Sequence, residues 1–208
     1  MMRYKHIIWD FDGTLFDTYP TMARAFCETM RAAGVPVDYQ SVFDAMKVAI
    51  SGTVRDYQSR YGFGQDVLDA YRAHRVALEL AEVKPFPGAV EVLERVTRAG
   101  GDHFICTHRG DSIHALLRKH GVNGYFREVT TSAHGFKRKP DPEAVQYLLS
   151  KYGMDPTETL MIGDRPLDVL AGQNVGTAGC FFDPTGELFE PAQYQITDLR
   201  QLFDIVGC

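Results

Sequence analysis

Four short apolar runs, each closed by polar or glycine-containing residues, limit what this chain can fold into: His6-Ile7-Ile8-Trp9, His103-Phe104-Ile105-Cys106, Thr159-Leu160-Met161-Ile162 and Ala178-Gly179-Cys180-Phe181-Phe182. Each has the length and composition of one buried strand. Between them lie stretches of helical period: Ala89 to Ala99, with Val90, Leu93 and Val96 on one face, Ser112 to His120, and Pro142 to Tyr152, with Val145, Leu148 and Leu149 inward. Strands that alternate with helices pair in parallel, because the intervening helix returns the chain to the same end of the sheet. The expected fold class is α/β, a parallel sheet flanked by helices. Such sheets bind ligands beyond the carboxyl ends of their strands, so the polar residues directly after each run are the functional candidates.

One segment breaks the alternation. From Thr18 to Val83 the pattern is almost wholly helical, with Met22, Ala25, Phe26 and Met30 at helical spacing, and Lys84-Pro85-Phe86-Pro87-Gly88 closes it with a stiff proline-rich stretch. We expect a helical insertion over 18–83 and a core built from 1–17 and 84–208, the other arrangement being one more helical layer on a single core. Gly34 and Gly62 are expected to end helices. At 208 residues, 45% of them hydrophobic, the chain can bury a sizeable core without disulfides or a structural metal. The four cysteines form no CxxC pair, which favours reduced thiols and a reducing compartment. No apolar stretch approaches the ~20 residues of a membrane span, and Met1-Met2-Arg3-Tyr4-Lys5 is not followed by a signal-peptide apolar region. The expected location is cytoplasmic. A net charge of -5 without any basic block argues against a nucleic-acid partner. No oligomeric state is legible.

Acidic residues gather at two strand ends. In Asp10-Phe11-Asp12-Gly13-Thr14-Leu15 an extended chain puts Asp10 and Asp12 on the same side, because side chains alternate along a strand. Like charges this close call for a cation, or for one carboxylate to be protonated or differently employed. Gly13 permits a sharp turn. After the third run, Gly163-Asp164-Arg165-Pro166-Leu167-Asp168 supplies Asp164 at the strand end and Asp168 one helical turn on. Oxygen ligands of this kind suit Mg²⁺, and no His/Cys cluster argues for zinc. Thr107 follows the second run with a hydroxyl and a nearby backbone N–H, and Lys139, held between Arg138 and Pro140, adds positive charge; together they form a phosphate clamp.

These motifs resemble the haloacid dehalogenase (HAD) superfamily, in its phosphatase branch. The likeness covers nearly the whole chain and rests on Asp10-Phe11-Asp12-Gly13-Thr14, Thr107, Lys139 of the Lys-Pro-x-Pro segment, and Gly163-Asp164 through Asp168, in family order. The resemblance implies a Rossmann-like core with a C1-type helical cap inserted after the first strand, as in phosphoglycolate-phosphatase-like members. It implies that Asp10 attacks phosphorus to give an aspartyl-phosphate, that Asp12 protonates the leaving alcohol and then activates water, and that Thr107 and Lys139 bind the phosphoryl oxygens. Mg²⁺ would be held by the Asp10 carboxylate, the Asp12 backbone carbonyl and Asp164, with Asp168 ligating through water or orienting its neighbours. Asp12 also argues against dehalogenation, since halide-removing members lack an aspartate there. The expected activity is Mg²⁺-dependent hydrolysis of a small phosphorylated metabolite. A sugar-phosphate mutase of the same architecture and a phospho-ligand-binding protein without turnover are the alternatives.

Two stretches have open readings. His108-Arg109 follows Thr107 where many members carry Asn: either residue contacts the substrate's phosphate or a carboxylate beyond it, or else they cap the next helix or pair with Asp111. Ile50-Ser51-Gly52-Thr53-Val54-Arg55 is either a loop whose Ser51, Gly52 and Arg55 read the leaving group, or a helix–helix turn N-capped by Ser51 or Thr53.

Overall fold

The computed structural model describes residues 2–208. The chain divides into two compact units, one that runs to Phe16 and resumes over Pro85–Cys208, the other Asp17–Lys84.

The first unit is a six-stranded sheet: β1 (His6–Trp9), β2 (Asp102–Cys106), β3 (Phe126–Thr130), β4 (Thr159–Gly163), β5 (Ala178–Phe182) and β6 (Tyr194–Ile196), in the spatial order β3-β2-β1-β4-β5-β6. Every pairing is parallel. The four apolar runs are the central strands, which are covered on both faces and therefore read as near-continuous hydrophobic sequence. The expected runs missed β3 and β6. Both are edge strands, and an edge strand keeps polar residues that carry little periodic signal: Glu128 and Arg127 interrupt β3, and Gln195 interrupts β6.

Ile8, Phe104 and Met161 point to one face of the sheet and pack with Val145, Leu148 and Ala171. Two helices supply that cover, Glu143–Tyr152 and Pro166–Gln173. Against the other face lies the helix Ala89–Arg98, which buries Ala89, Val92, Leu93 and Val96, so its inward stripe includes Val92 rather than the expected Val90. There His103, fully buried, accepts a hydrogen bond from Trp9 Nε1 at 3.0 Å on Nδ1 and reaches Leu93 O at 3.1 Å with Nε2. Burial pushes its imidazole down to about 4, so the ring is neutral and donates from Nε2.

The second unit holds three helices, Tyr19–Ala32, Tyr39–Tyr61 and Gln65–Glu82. Numbered along the chain these are α1, α2 and α3; Ala89–Arg98 is α4, Ile113–Lys119 α5, Glu143–Tyr152 α6, Pro166–Gln173 α7 and Leu202–Val206 α8. Met22, Phe26, Met30, Val42, Met46 and Tyr71 form the core of this unit. Gly34 and Gly62 follow α1 and α2 with φ of 73° and 69°, the left-handed conformation that ends a helix. The Ser51-Gly52 stretch lies beside a junction of two helical stretches, as its second reading expects, but without the Thr53 cap of that reading. It lies inside α2, directly after a break at Ala49 (φ −158°, ψ 97°), and Thr53 Oγ1 donates back to Ala49 O at 3.0 Å rather than capping an N-terminus.

Among the described residues no helix is long and apolar enough to cross a membrane. The four cysteines are unpaired thiols, as their spacing predicts.

Candidate active site

The strand order reverses direction at β1: the chain leaves toward β2 and β3, then returns to β4 on the other side. A crevice opens at such a switch point because the crossovers on either side diverge. Trp9 is level with Ile105 on β2 and with Ile162 on β4, so Asp10, Thr107 and Asp164 leave the sheet at one edge. Asp10 N–H donates to Ile162 O at 2.8 Å and Thr107 N–H to Thr130 O at 3.1 Å, which fixes both main chains at the rim. Gly13 then turns the chain with φ 82°, a conformation that costs a side-chain-bearing residue, and its N–H donates to Phe16 O at 2.9 Å.

Asp10, Asp164 and Asp168 each bring a carboxylate oxygen to within 4.8 Å of the other two. Asp10 and Asp168 are buried and Asp164 is half-buried. Lys139 enters this cluster with its ammonium equally buried: Nζ donates to Asp10 Oδ1 at 2.6 Å and to Cys106 O at 2.7 Å, and it lies 2.6 Å from Asp168 Oδ1 in an ion contact that lacks hydrogen-bond angles. Burial alone would lower the affinity of this lysine for its proton, but the carboxylates of Asp10 and Asp168 outweigh it and push the group up. Asp10 moves the other way from an ordinary carboxylate: burial, then the charge of Asp168, push it up to about 6 against the pull of Lys139 and Arg165. Its Oδ2 is buried and accepts no hydrogen bond.

A buried carboxylate oxygen without a donor is costly unless a cation meets it. The donor set here is oxygen only, which suits a hard divalent ion such as Mg²⁺, so the residues present fit the metal the sequence suggests.

Asp12 is not part of the acidic cluster. Arg109 takes its carboxylate in a fork, with Nε 3.1 Å from Oδ1 and 3.2 Å from Oδ2, and Nη2 2.5 Å from Oδ1. Each of the two carboxylates faces a cation, Lys139 for Asp10 and Arg109 for Asp12. Arg109 also does not pair with Asp111, whose Oδ1 accepts from Thr131 Oγ1 at 3.0 Å, nor do His108 and Arg109 cap α5, whose N-cap is Ser112. His108 instead braces the lysine segment, its Nε2 accepting from the Lys139 backbone N–H at 2.8 Å. Burial, then the nearby charges of Lys139, Arg138 and Arg165, push the imidazole down to about 3, so His108 is neutral. Thr107 Oγ1 accepts from Arg109 N–H at 3.1 Å.

Thr14 and Gly163 support the site and had been given no part in it. Thr14 Oγ1 donates to Asp164 Oδ1 at 3.1 Å. Gly163 leaves room for Asp168, since a Cβ on it would lie 2.1 Å from Asp168 Cβ. Asp168 is held further by Arg165 N–H, which donates to its Oδ2 at 3.2 Å. Both residues stand inside the motifs quoted above, so their position was the available signal. Ser51, Gly52 and Arg55 belong to the helical unit, where Arg55 Nε donates to Ser51 O at 3.3 Å.

A family model described as haloacid dehalogenase-like hydrolase matches residues 7–181, which spans every site segment above. The chain belongs to the haloacid dehalogenase-like hydrolase family. Within it, an N-acetylmuramic acid 6-phosphate phosphatase of Pseudomonas aeruginosa is 33% identical over 186 residues, covering 85% of this chain and 80% of the relative. A phosphoglycolate phosphatase of Agrobacterium fabrum is 30% identical, covering 80% and 75%. Among solved structures, a hydrolase from Streptococcus pneumoniae TIGR4 is 35% identical over the whole of both chains with a TM-score of 0.68. The HAD-hydrolase YfnB from Bacillus subtilis, described as bound to magnesium, shares the fold with a TM-score of 0.82 at 19% identity. This HAD-like chain is thus a hydrolase of the family its motifs resemble.

Proposed function

We propose that this HAD-like hydrolase is a Mg²⁺-dependent phosphatase that cleaves a small-molecule phosphomonoester through an aspartyl-phosphate on Asp10. The observation that carries the reading is Asp10 itself: one oxygen is held by Lys139, and the other is buried with no hydrogen bond among further carboxylates. Such a carboxylate is oriented and poorly solvated, as a nucleophile must be. The phosphatases among its relatives support the substrate class.

In the first step an Asp10 oxygen bonds to phosphorus while the ester P–O bond breaks, and the departing oxygen takes a proton from Asp12. In the second, Asp12 takes a proton from water, the water oxygen bonds to phosphorus, and the Asp10–phosphorus bond breaks to release phosphate. One water is consumed, and an alcohol and phosphate are formed. Thr107 is a candidate donor to the phosphoryl oxygens, and Lys139 offsets their charge from beside the nucleophile. The Asp10 carboxylate, the Asp12 backbone carbonyl and Asp164 would hold Mg²⁺, with Asp168 ligating through water or orienting them; bound there, the ion supplies charge neutralisation for the carboxylates and the phosphate dianion. Substrate choice is assigned to the helical unit, 18–83, with Ser51, Gly52 and Arg55 beside the α2 break as its candidates.

A panel of phosphorylated metabolites and a chromogenic aryl phosphate tests the reading. Phosphate release that requires Mg²⁺ and stops with excess chelator is expected. Turnover indifferent to chelation overturns the metal assignment, and no turnover of any ester overturns the phosphatase.

A further inference from the structure

Asp10 and Asp12 each face a cation, and the two cations differ in kind. Lys139 is a compact charge shared among Asp10, Asp168 and a carbonyl. Arg109 is a planar fork, and its three short contacts fall on both oxygens of Asp12. A lysine in that place could neutralise Asp12, but it could not fix the plane of the carboxylate.

The fork is itself held rigidly. Arg109 N–H donates to Thr107 Oγ1 at 3.1 Å, and Arg109 O accepts from Ser132 N–H at 2.9 Å, so its main chain is tied at both sides. Its side chain is 1% exposed, and the guanidinium carbon lies 5.4 Å from the centre of the Phe11 ring, on the residue between Asp10 and Asp12. The main chain of β2's exit and the Phe11 ring therefore constrain the guanidinium, and the guanidinium in turn orients Asp12.

We propose that Arg109 is a positioning residue that aims the Asp12 carboxylate at the leaving-group oxygen, so that hydrolysis of esters with basic leaving groups depends on the fork. The proposal rests on the phosphatase reading above and adds a specificity consequence to it. An alkyl phosphate must receive a proton as its P–O bond breaks, because an alkoxide is a poor leaving group; an aryl phosphate with an acidic phenol needs no such proton. Misaiming Asp12 therefore penalises the first substrate far more than the second, since proton transfer tolerates little error in donor position. Nε and Nη2 both contact Oδ1, so the proton that passes to the leaving group is assigned to Oδ2, and the Asp12 that the fork orients enters the first step protonated.

The test compares wild type, R109A and R109K on an alkyl phosphate and on 4-nitrophenyl phosphate, with circular dichroism to check folding. R109A is expected to lower kcat on the alkyl ester by about 10²-fold or more, the usual weight of a general acid, with KM little changed and a loss of about tenfold or less on the aryl ester. R109K is expected to show the same bias at reduced size, because charge remains and the fork is lost. Guanidinium ion, well below denaturing concentration, is expected to restore part of the alkyl-ester activity to R109A, and ammonium ion is not. Equal losses on both esters in folded R109K or R109A, or a wild-type ratio between esters in R109K, overturn the proposal alone. A wild type inactive on both esters overturns the phosphatase reading and this proposal with it.

Discussion

The two units bury opposite chemistry. The helical unit encloses Met22, Phe26, Met30 and Met46, and its buried acid, Glu79, lies 3.5 Å from Arg75. At the rim of its sheet the α/β unit encloses Asp10, Asp12, Asp168, Lys139 and Arg109. Burying a hydrocarbon side chain is favourable wherever it fits, whereas burying a charge costs several kcal/mol unless partners repay it. The helical core is thus accounted for by folding alone. The charged edge is not, and functional sites are where such costs are tolerated.

The strongest challenge to this contrast is Asp10→Asn, which removes the proposed nucleophile and its charge but keeps volume and an oxygen for Lys139. Turnover is expected to fall by at least about 10⁴-fold, as when a covalent nucleophile is lost. The melting temperature in Mg²⁺-free buffer should hold or rise, since the site disfavours the charge removed. A clear drop in stability would mean that Asp10 is structural.

Lys139→Met tests the reverse. The buried carboxylates of Asp10 and Asp168 lose their cation, and the α/β unit should lose about 3–5 kcal/mol by chemical denaturation, in addition to its activity. In the helical unit, Met46→Ala should cost about 2–5 kcal/mol through a cavity. Its effect should not change between pH 7 and pH 5, because no titratable group is involved.

The smallest effect is in the pH dependence of the metal-free protein. His108 and His103, pushed down to about 3 and about 4, stay neutral in the fold but bind protons once unfolded, so their contribution is complete above about 6.5 and is lost as pH falls toward those values. Asp10, pushed up to about 6, has the opposite sign, and lowering the pH from 6 toward 4 returns stability. Of these three groups the two histidines outweigh Asp10, so together they weaken the fold on the acid side. His108→Asn should flatten that slope by about one proton per molecule at most. An unchanged slope would show that His108 titrates normally in the folded protein.

Much of this was legible in the sequence, and the illegible part has a common cause. The central strands are legible because they are covered on both faces, and Asp10, Thr107 and Asp164 because each follows directly on such a strand. The edge strands β3 and β6 are not, because half their surface faces solvent and needs no apolar pattern. The Ser51-Gly52 stretch left two readings open because a glycine among hydroxyls is as compatible with a helix beside a break as with a loop.

The alternation of strand and helix, the order of the acidic motifs and the helical character of 18–83 were written locally, since burial and turn chemistry act on neighbours along the chain. Partnership was not. That Arg109 takes Asp12 and Lys139 takes Asp10 and Asp168 depends on which loops the parallel register brings to one rim, and residues 97 and 129 positions apart carry no mark of each other until the sheet has formed.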